Sequence, residues 1–150
     1  LVTGTMLMKA NVQAGQRALL IGAGTGYVAA LLAALGASVV AVEDQAELRG
    51  AAPASAKVDA IQWVDAPLNA GAAGQAAFDL IIIDGAIEEL PAAIVDQLAE
   101  GGRLITARRE GAVARLVEGV KTNGTLALRR FADMDVPALA AFAAPQGFKF

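Results

Sequence analysis

Short apolar runs alternate along the chain with longer stretches whose apolar residues recur at helical spacing. Strands covered on both faces and joined by crossover helices leave this pattern. Five strands are predicted: 18–21, running into glycines; 38–42, ending at Glu43; 60–64, ending at Asp65; 80–83, ending at Asp84; and 103–107, following Gly101 and Gly102. Helices are predicted over 27–35, closed by Gly36, over 45–51, stopped near Pro53, and over 90–98, where Pro91 suits a first turn. Another is expected around 6–12. After the fifth strand, 113–121 and 125–131 flank Asn123-Gly124, a dipeptide that favours the positive-φ turn of an antiparallel hairpin. A last short strand is expected over 147–150, and the Ala- and Gly-rich stretch 66–77 reads as a surface loop. The whole predicts one α/β domain over 1–150, with a mainly parallel sheet, flanking helices and an antiparallel C-terminal hairpin.

Composition narrows the chemistry. Hydrophobic residues make up 56% of the 150 residues, enough to build a core, and no apolar run approaches the ~20 residues that span a bilayer. Twelve Lys and Arg against 15 Asp and Glu leave a formal charge of −3, which argues against nucleic acid or an anionic membrane as partner. There is no Cys and no His. That removes thiolate nucleophiles, serine–histidine triads and the common zinc ligand sets, so no metal site is expected. Nothing resembles a signal peptide, and the expected compartment is the cytoplasm.

Gly22-Ala23-Gly24-Thr25-Gly26 directly follows a predicted strand and opens a predicted helix. Glycines there permit a tight turn and close approach of a ligand, and the free N–H groups of a helix start favour negative charge. A dinucleotide fingerprint places Gly or Ala where this chain has Tyr27. Glu43 ends the second strand at the distance from Gly22 where a carboxylate can accept hydrogen bonds from ribose hydroxyls, and its neighbour Asp44 fits a helix cap. Asp65 and Asp84 end the third and fourth strands, so all four strand ends converge on the carboxyl edge of the sheet. Glu88 and Glu89 fit the start of a helix better than an acid pair. Arg108, Arg109, Arg129 and Arg130 form a basic spot on the hairpin that reads as a solvated strand face, and Trp63 and Tyr27 read as packing residues, with Tyr27 also able to cover a ligand.

The run Leu19-Leu20-Ile21-Gly22-Ala23-Gly24-Thr25-Gly26-Tyr27 with Ala29-Ala30-Leu31-Leu32 resembles the first motif of class I S-adenosylmethionine-dependent methyltransferases, Rossmann-like in fold. Its Gly-Tyr step followed by Ala-x-Leu-Leu is similar to the protein-L-isoaspartate O-methyltransferase branch. Val39 to Glu43, Phe78 to Ala86, Glu89-Leu90-Pro91, Gln97-Leu98, Gly101 to Leu104, Phe131-Ala132-Asp133 and Gly147 to Phe150 resemble that family in order and spacing. The resemblance implies S-adenosyl-L-methionine as cofactor and isoaspartyl proteins or peptides as methyl acceptors. By position, Gly22, Ala23, Gly24, Thr25, Gly26 and Tyr27 would cradle its methionine part. Glu43, with Asp44 beside it, would bind the ribose, Asp65 and Ala66 would meet the adenine, and Asp84 and Gly85 would lie beside the sulfonium.

Two departures are visible. Leu20 stands where the family usually has an acid, and the family's substrate-recognition segment lies upstream of the helix expected near residue 6, so a natural N-terminal segment is expected to be absent. The resemblance assigns no catalytic residue. A non-catalytic cofactor-binding or interaction module of the same fold, a methyltransferase for another substrate, and a nicotinamide-dependent oxidoreductase are the competing readings.

Overall fold

The computed structural model describes residues 1–145; the strand expected over 147–150 lies outside the described residues. Helix α1 (Val2–Ala10) leads into β1 (Arg17–Ile21), and α2 (Tyr27–Ala34) follows the glycine-rich turn. Then come β2 (Ser38–Val42), the short α3 (Ala46–Gly50), β3 (Ile61–Val64), β4 (Phe78–Ile87), α4 (Ala92–Gln97) and β5 (Leu98–Glu110). The chain turns back through β6 (Val113–Thr122), β7 (Thr125–Leu126) and β8 (Arg129–Asp133).

The sheet order is β3-β2-β1-β4-β5-β6-β7, with β8 also paired to β6. The first five strands run parallel, and β6 turns antiparallel against β5, β7 and β8. This is the expected mainly parallel α/β fold with an antiparallel end. Strand β1 is central, with β2 on one side and β4 on the other. The connections therefore depart in opposite directions from the β1/β4 seam, and such a switch point leaves a crevice at the carboxyl ends of the strands.

Alternation along the buried strands divides the core. Ala18, Leu20, Leu80, Ile82 and Ile105 pack beneath Met6 and Ala10 of α1 and Val28, Ala29 and Leu32 of α2. On the other face Leu19, Ile21, Ile81, Ile83 and Leu104 meet Ile94 of α4, Leu68, Ala72 and Phe142. Each fully buried Leu or Ile contributes about 1.5–3 kcal/mol of transfer free energy, so the two-sided burial of β1 and β4 is the main source of stability. Helix α1 is also tied by polar contacts. Arg103 Nη1 donates to the Lys9 carbonyl at 2.8 Å, and Lys9 Nζ lies 3.4 Å from the buried Glu118 carboxylate.

Several expectations need correction. The first helix starts at Val2 and ends at Ala10, not around 6–12, because Asn11 takes a left-handed conformation that closes it. Strands β4 and β5 run well beyond 80–83 and 103–107, since each pairs along its length with neighbours that extend it past the apolar stretch. The second arm of the hairpin breaks into β7 and β8, with Ala127 and Leu128 outside both. The loop over 66–77 is not purely superficial. It folds into 3-10 turns at Leu68–Ala70 and Ala73–Gln75, buries Leu68 and Ala72, and is clamped by Gln97. The Gln97 side chain donates to the Ala70 carbonyl at 2.9 Å and accepts from the Ala72 N–H at 2.8 Å.

Candidate functional site

The carboxyl ends of β1, β2, β3 and β4 bring Gly22 to Tyr27, Glu43, Asp44, Asp65, Ala66, Asp84 and Gly85 to one edge of the sheet. The N–H groups of Gly22 and Ala23 both donate to the Val42 carbonyl, at 3.0 and 3.1 Å, which bends the chain out of β1 across the end of β2. Gly22, Gly24 and Gly26 all hold positive φ, so this turn is closed to ordinary side chains. Their surroundings differ. A Cβ on Gly24 would meet nothing within 4 Å, which leaves open space above the loop. A Cβ on Gly26 would lie 2.6 Å from the Ala56 Cβ and 2.8 Å from the Trp63 ring, so that glycine is required by packing. Helix α2 starts at Gly26 without a side-chain cap, leaving its first N–H groups pointing toward the same edge.

Glu43 is 4% exposed, and its carboxylate is shared by two backbone donors: the Gly24 N–H at 2.7 Å and the Gln45 N–H at 3.0 Å. It braces the glycine turn from below. The Arg49 guanidinium donates to the Glu43 carbonyl and lies 3.3 Å from the Asp65 carboxylate, linking the ends of β2 and β3. Nothing in the apolar pattern singled out Arg49; its place follows from α3 folding back toward β3. Asp44 is exposed and makes no cap hydrogen bond to α3, whose N-cap is Gln45. Trp63 packs as expected, its Nε1–H donating to the Ala56 carbonyl at 2.8 Å. Tyr27 does not pack: it is 66% exposed beside the turn.

Gly22 and β4 meet at the switch point, where the Asp84 carbonyl lies 3.5 Å from the Cβ position of Gly22. The Asp84 side chain points to the α1/α2 side, beside Thr3, Met6, Leu7 and Val28, and desolvation by burial raises its carboxyl above the usual aspartate range. Gly85 faces the other way, under Leu139. A Cβ there would come within 2.4 Å of the Leu139 side chain, which also covers Gly22. Leu139 is held in place by a strap that pairs with β4: the Ala86 N–H donates to the Pro137 carbonyl at 2.8 Å, and the Leu139 N–H to the Ala86 carbonyl at 2.9 Å. Sequence reasoning missed this wall, because the strap shows no strand or helix pattern of its own.

Leu20, where the resembling family has an acid, is fully buried in the core beneath α1 and α2. Glu88 and Glu89 sit beyond β4 with their N–H groups on the Phe142 carbonyl, both at 3.1 Å. The basic residues are regrouped. Alternation along β5 sends Arg109 to the opposite face from Arg108, and Arg115 of β6 joins Arg108, Arg129 and Arg130 around one recess. Among the described residues, no group of three or more Asp or Glu side chains is placed to hold a metal ion, and no helix is long and apolar enough to cross a membrane.

Comparison with known proteins agrees with this geometry. The family model for protein-L-isoaspartate(D-aspartate) O-methyltransferase matches residues 1–135. A protein-L-isoaspartate O-methyltransferase of Koribacter versatilis is 38% identical over 109 residues, covering 69% of this chain and 48% of the relative. One of Methanoculleus marisnigri is 35% identical over 126 residues, covering 82% and 57%. The chain spans about half the length of these curated relatives. In structure, 95% of the chain superposes on 48% of a protein-L-isoaspartate O-methyltransferase with a TM-score of 0.86 at 20% identity. It also superposes, with a TM-score of 0.80 at 24% identity, on a Plasmodium falciparum protein of that description in complex with S-adenosyl-L-homocysteine, covering 93% of this chain and 73% of that one. These superpositions establish a Rossmann-like class I methyltransferase fold, and the family match with the sequence identities establishes that the chain belongs to the protein-L-isoaspartate(D-aspartate) O-methyltransferase family.

Proposed function

We propose that this chain binds S-adenosyl-L-methionine at the carboxyl ends of β1 to β4 and transfers its methyl group to the carboxylate of L-isoaspartyl residues in damaged proteins. The observation that carries this reading is the meeting of the open glycine turn, braced by Glu43, with Asp84 and Gly85 at the switch point of the sheet.

The fit rests on features of this site. The space over Gly24 is empty within 4 Å, so the backbone there can be approached closely, as a methionine moiety requires. Ala23, Thr25, Gly26 and Tyr27 complete the turn, with exposed Tyr27 as one wall. Glu43 and Asp44 are set for the ribose, although the Glu43 carboxylate already serves two backbone donors, so its first role is to hold the loop. Asp65 and Ala66 border the adenine end, with Arg49 fixing Asp65. Asp84 supplies the negative charge for the cationic end of the cofactor. A cation bound there would lower the raised Asp84 pKa, and Leu20 is buried in the core.

When bound, the cofactor supplies an electrophilic methyl group whose bond to sulfur breaks as an acceptor oxygen bonds to carbon, the electron pair remaining on sulfur. A carboxylate acceptor is ionised at neutral pH, so no residue of this chain has to remove a proton. The absence of His and Cys is compatible with this chemistry. What the protein must do is align the acceptor and exclude water, and Leu139 over Gly22 and Gly85 provides an apolar wall for that purpose.

The test is calorimetric titration with S-adenosyl-L-homocysteine alongside tritiated methyl transfer to an isoaspartyl peptide and to its aspartyl control. Binding with transfer only to the isoaspartyl peptide supports the full reading. Binding without transfer favours a cofactor-binding module or another methyl acceptor. No binding overturns the site.

A further inference from the structure

On the far side of the sheet from α1, where β5, β6 and β8 run together, Arg108, Arg115, Arg129 and Arg130 surround a recess of about 340 Å³, with Glu110, Val117 and Leu128 completing its lining. We propose that this recess is a binding site for a small oxyanion carrying two or more phosphate or carboxylate groups.

The register of the sheet makes the arrangement costly when empty. Arg108 and Arg115 are direct cross-strand partners on β5 and β6, and Val117, two residues on, is opposite Arg130 of β8. Like charges placed directly opposite on neighbouring strands destabilise the pairing. The neighbouring carboxylates offset this only partly. Glu110 lies 3.9 Å from Arg108 Nε and 4.0 Å from Arg115 Nη1, both outside hydrogen-bond distance, and its side chain is largely exposed. Asp133 lies 3.3 Å from Arg115 Nε, which nevertheless has no hydrogen-bond partner and is buried. Arg129 reaches away to Glu118, at 3.2 Å. Among the described residues Arg130 makes no ion pair.

The donor chemistry selects the ligand class. Guanidinium groups present planar pairs of N–H donors that match carboxylate and phosphate oxygens two at a time. Three of them around one recess suit more than one anionic group. Val117 and Leu128 give the floor an apolar side that a bare halide would not use and the organic body of a ligand would. Glu110 then acts as a weak internal counterion: an exposed pair of this kind is worth little and is readily displaced. The protein as a whole carries a formal charge of −3, so bulk charge does not draw anions to it and the attraction is local.

The experiment is calorimetric titration of the 150-residue chain at low ionic strength with inorganic tripolyphosphate, with citrate and with a Glu-rich decapeptide. Saturable one-site binding of tripolyphosphate or citrate is expected, and which of the two binds more tightly identifies the group as phosphate or carboxylate. Arg130→Gln, an exposed substitution that leaves the core intact, should weaken it about tenfold, the scale of one lost charge-assisted hydrogen bond. Arg108→Gln with Arg115→Gln should abolish it, with circular dichroism verifying the fold. Glu110→Gln should tighten it. Absence of saturable binding, or affinities unchanged in the arginine variants, overturns the site; tighter binding of the decapeptide than of either small anion overturns the ligand class in favour of peptide docking. S-adenosyl-L-homocysteine binding at the glycine turn is expected to be unchanged in all these variants, so the two sites fail or succeed separately.

Discussion

Replacing Glu43 by Ala tests whether the glycine turn is preorganised by a carboxylate beneath it. The side chain is 4% exposed and accepts from the Gly24 N–H at 2.7 Å and the Gln45 N–H at 3.0 Å. A hydrogen bond to a charged group contributes about 1.5–3 kcal/mol. Both donors lie at the rim of the crevice, where water can replace part of the loss, so the low end applies to each and the sum is about 3 kcal/mol. For a chain of this size about 1 kcal/mol corresponds to roughly 2–4 °C, so the melting midpoint should fall by about 6–12 °C. The turn would then be ordered only on binding, and S-adenosyl-L-homocysteine affinity should fall by at least about tenfold. Thermal melting by circular dichroism and calorimetric titration on the same preparation read the two effects. A melting midpoint unchanged to within about a degree would refute the bracing role, and unchanged affinity in a destabilised variant would remove the turn from the cofactor site.

The glycines of the turn should separate by readout. Gly24→Ala has space for its Cβ and should cost only about 1–2 kcal/mol for the left-handed conformation while abolishing cofactor binding, whereas Gly26→Ala should destabilise far more, its Cβ forced against Ala56 and Trp63; comparable melting shifts in the two would contradict this. Asp84→Asn should raise stability at neutral pH. Its folded-state pKa lies above the unfolded value, so the ionised side chain costs stability that grows as pH rises through that window; a denaturant midpoint that falls at pH 7 would sink the argument. The same variant should weaken S-adenosyl-L-methionine binding more than binding of the uncharged thioether S-adenosyl-L-homocysteine, and wild-type affinity for S-adenosyl-L-methionine should weaken as pH falls through the Asp84 pKa. Glu118→Gln should lower stability, since a buried carboxylate with Lys9 at 3.4 Å and Arg129 at 3.2 Å ties α1 and β8 to the sheet; faster amide exchange in α1 would locate the effect, and unchanged exchange there would refute it.

The residues themselves determined the sheet and the edge on which the site lies. The parallel strands must be buried on both faces, so 18–21 and 38–42 read as continuous apolar runs, and they end at Gly22 and at Glu43. The order of glycine turn, acid and acid at successive strand ends places the crevice without coordinates, because open α/β sheets take their ligands outside the carboxyl ends of the strands. The tertiary structure decided what each of those residues does there. Whether Glu43 faces solvent or the backbone of the turn depends on how β1 bends over β2, a contact between segments 19 residues apart. Gly26 is a packing glycine and Gly24 an open one only because Trp63 and Ala56 arrive from β3 and the turn before it. Leu139 reaches Gly85 through a strap without a periodic signal, and Arg108, Arg115 and Arg130 converge only through the register of three antiparallel strands. Local pattern records which backbone a segment prefers, since that is settled within a few residues by sterics and one-sided burial. Which side chains share a pocket is settled by packing between segments far apart in the chain, and no local pattern carries that information.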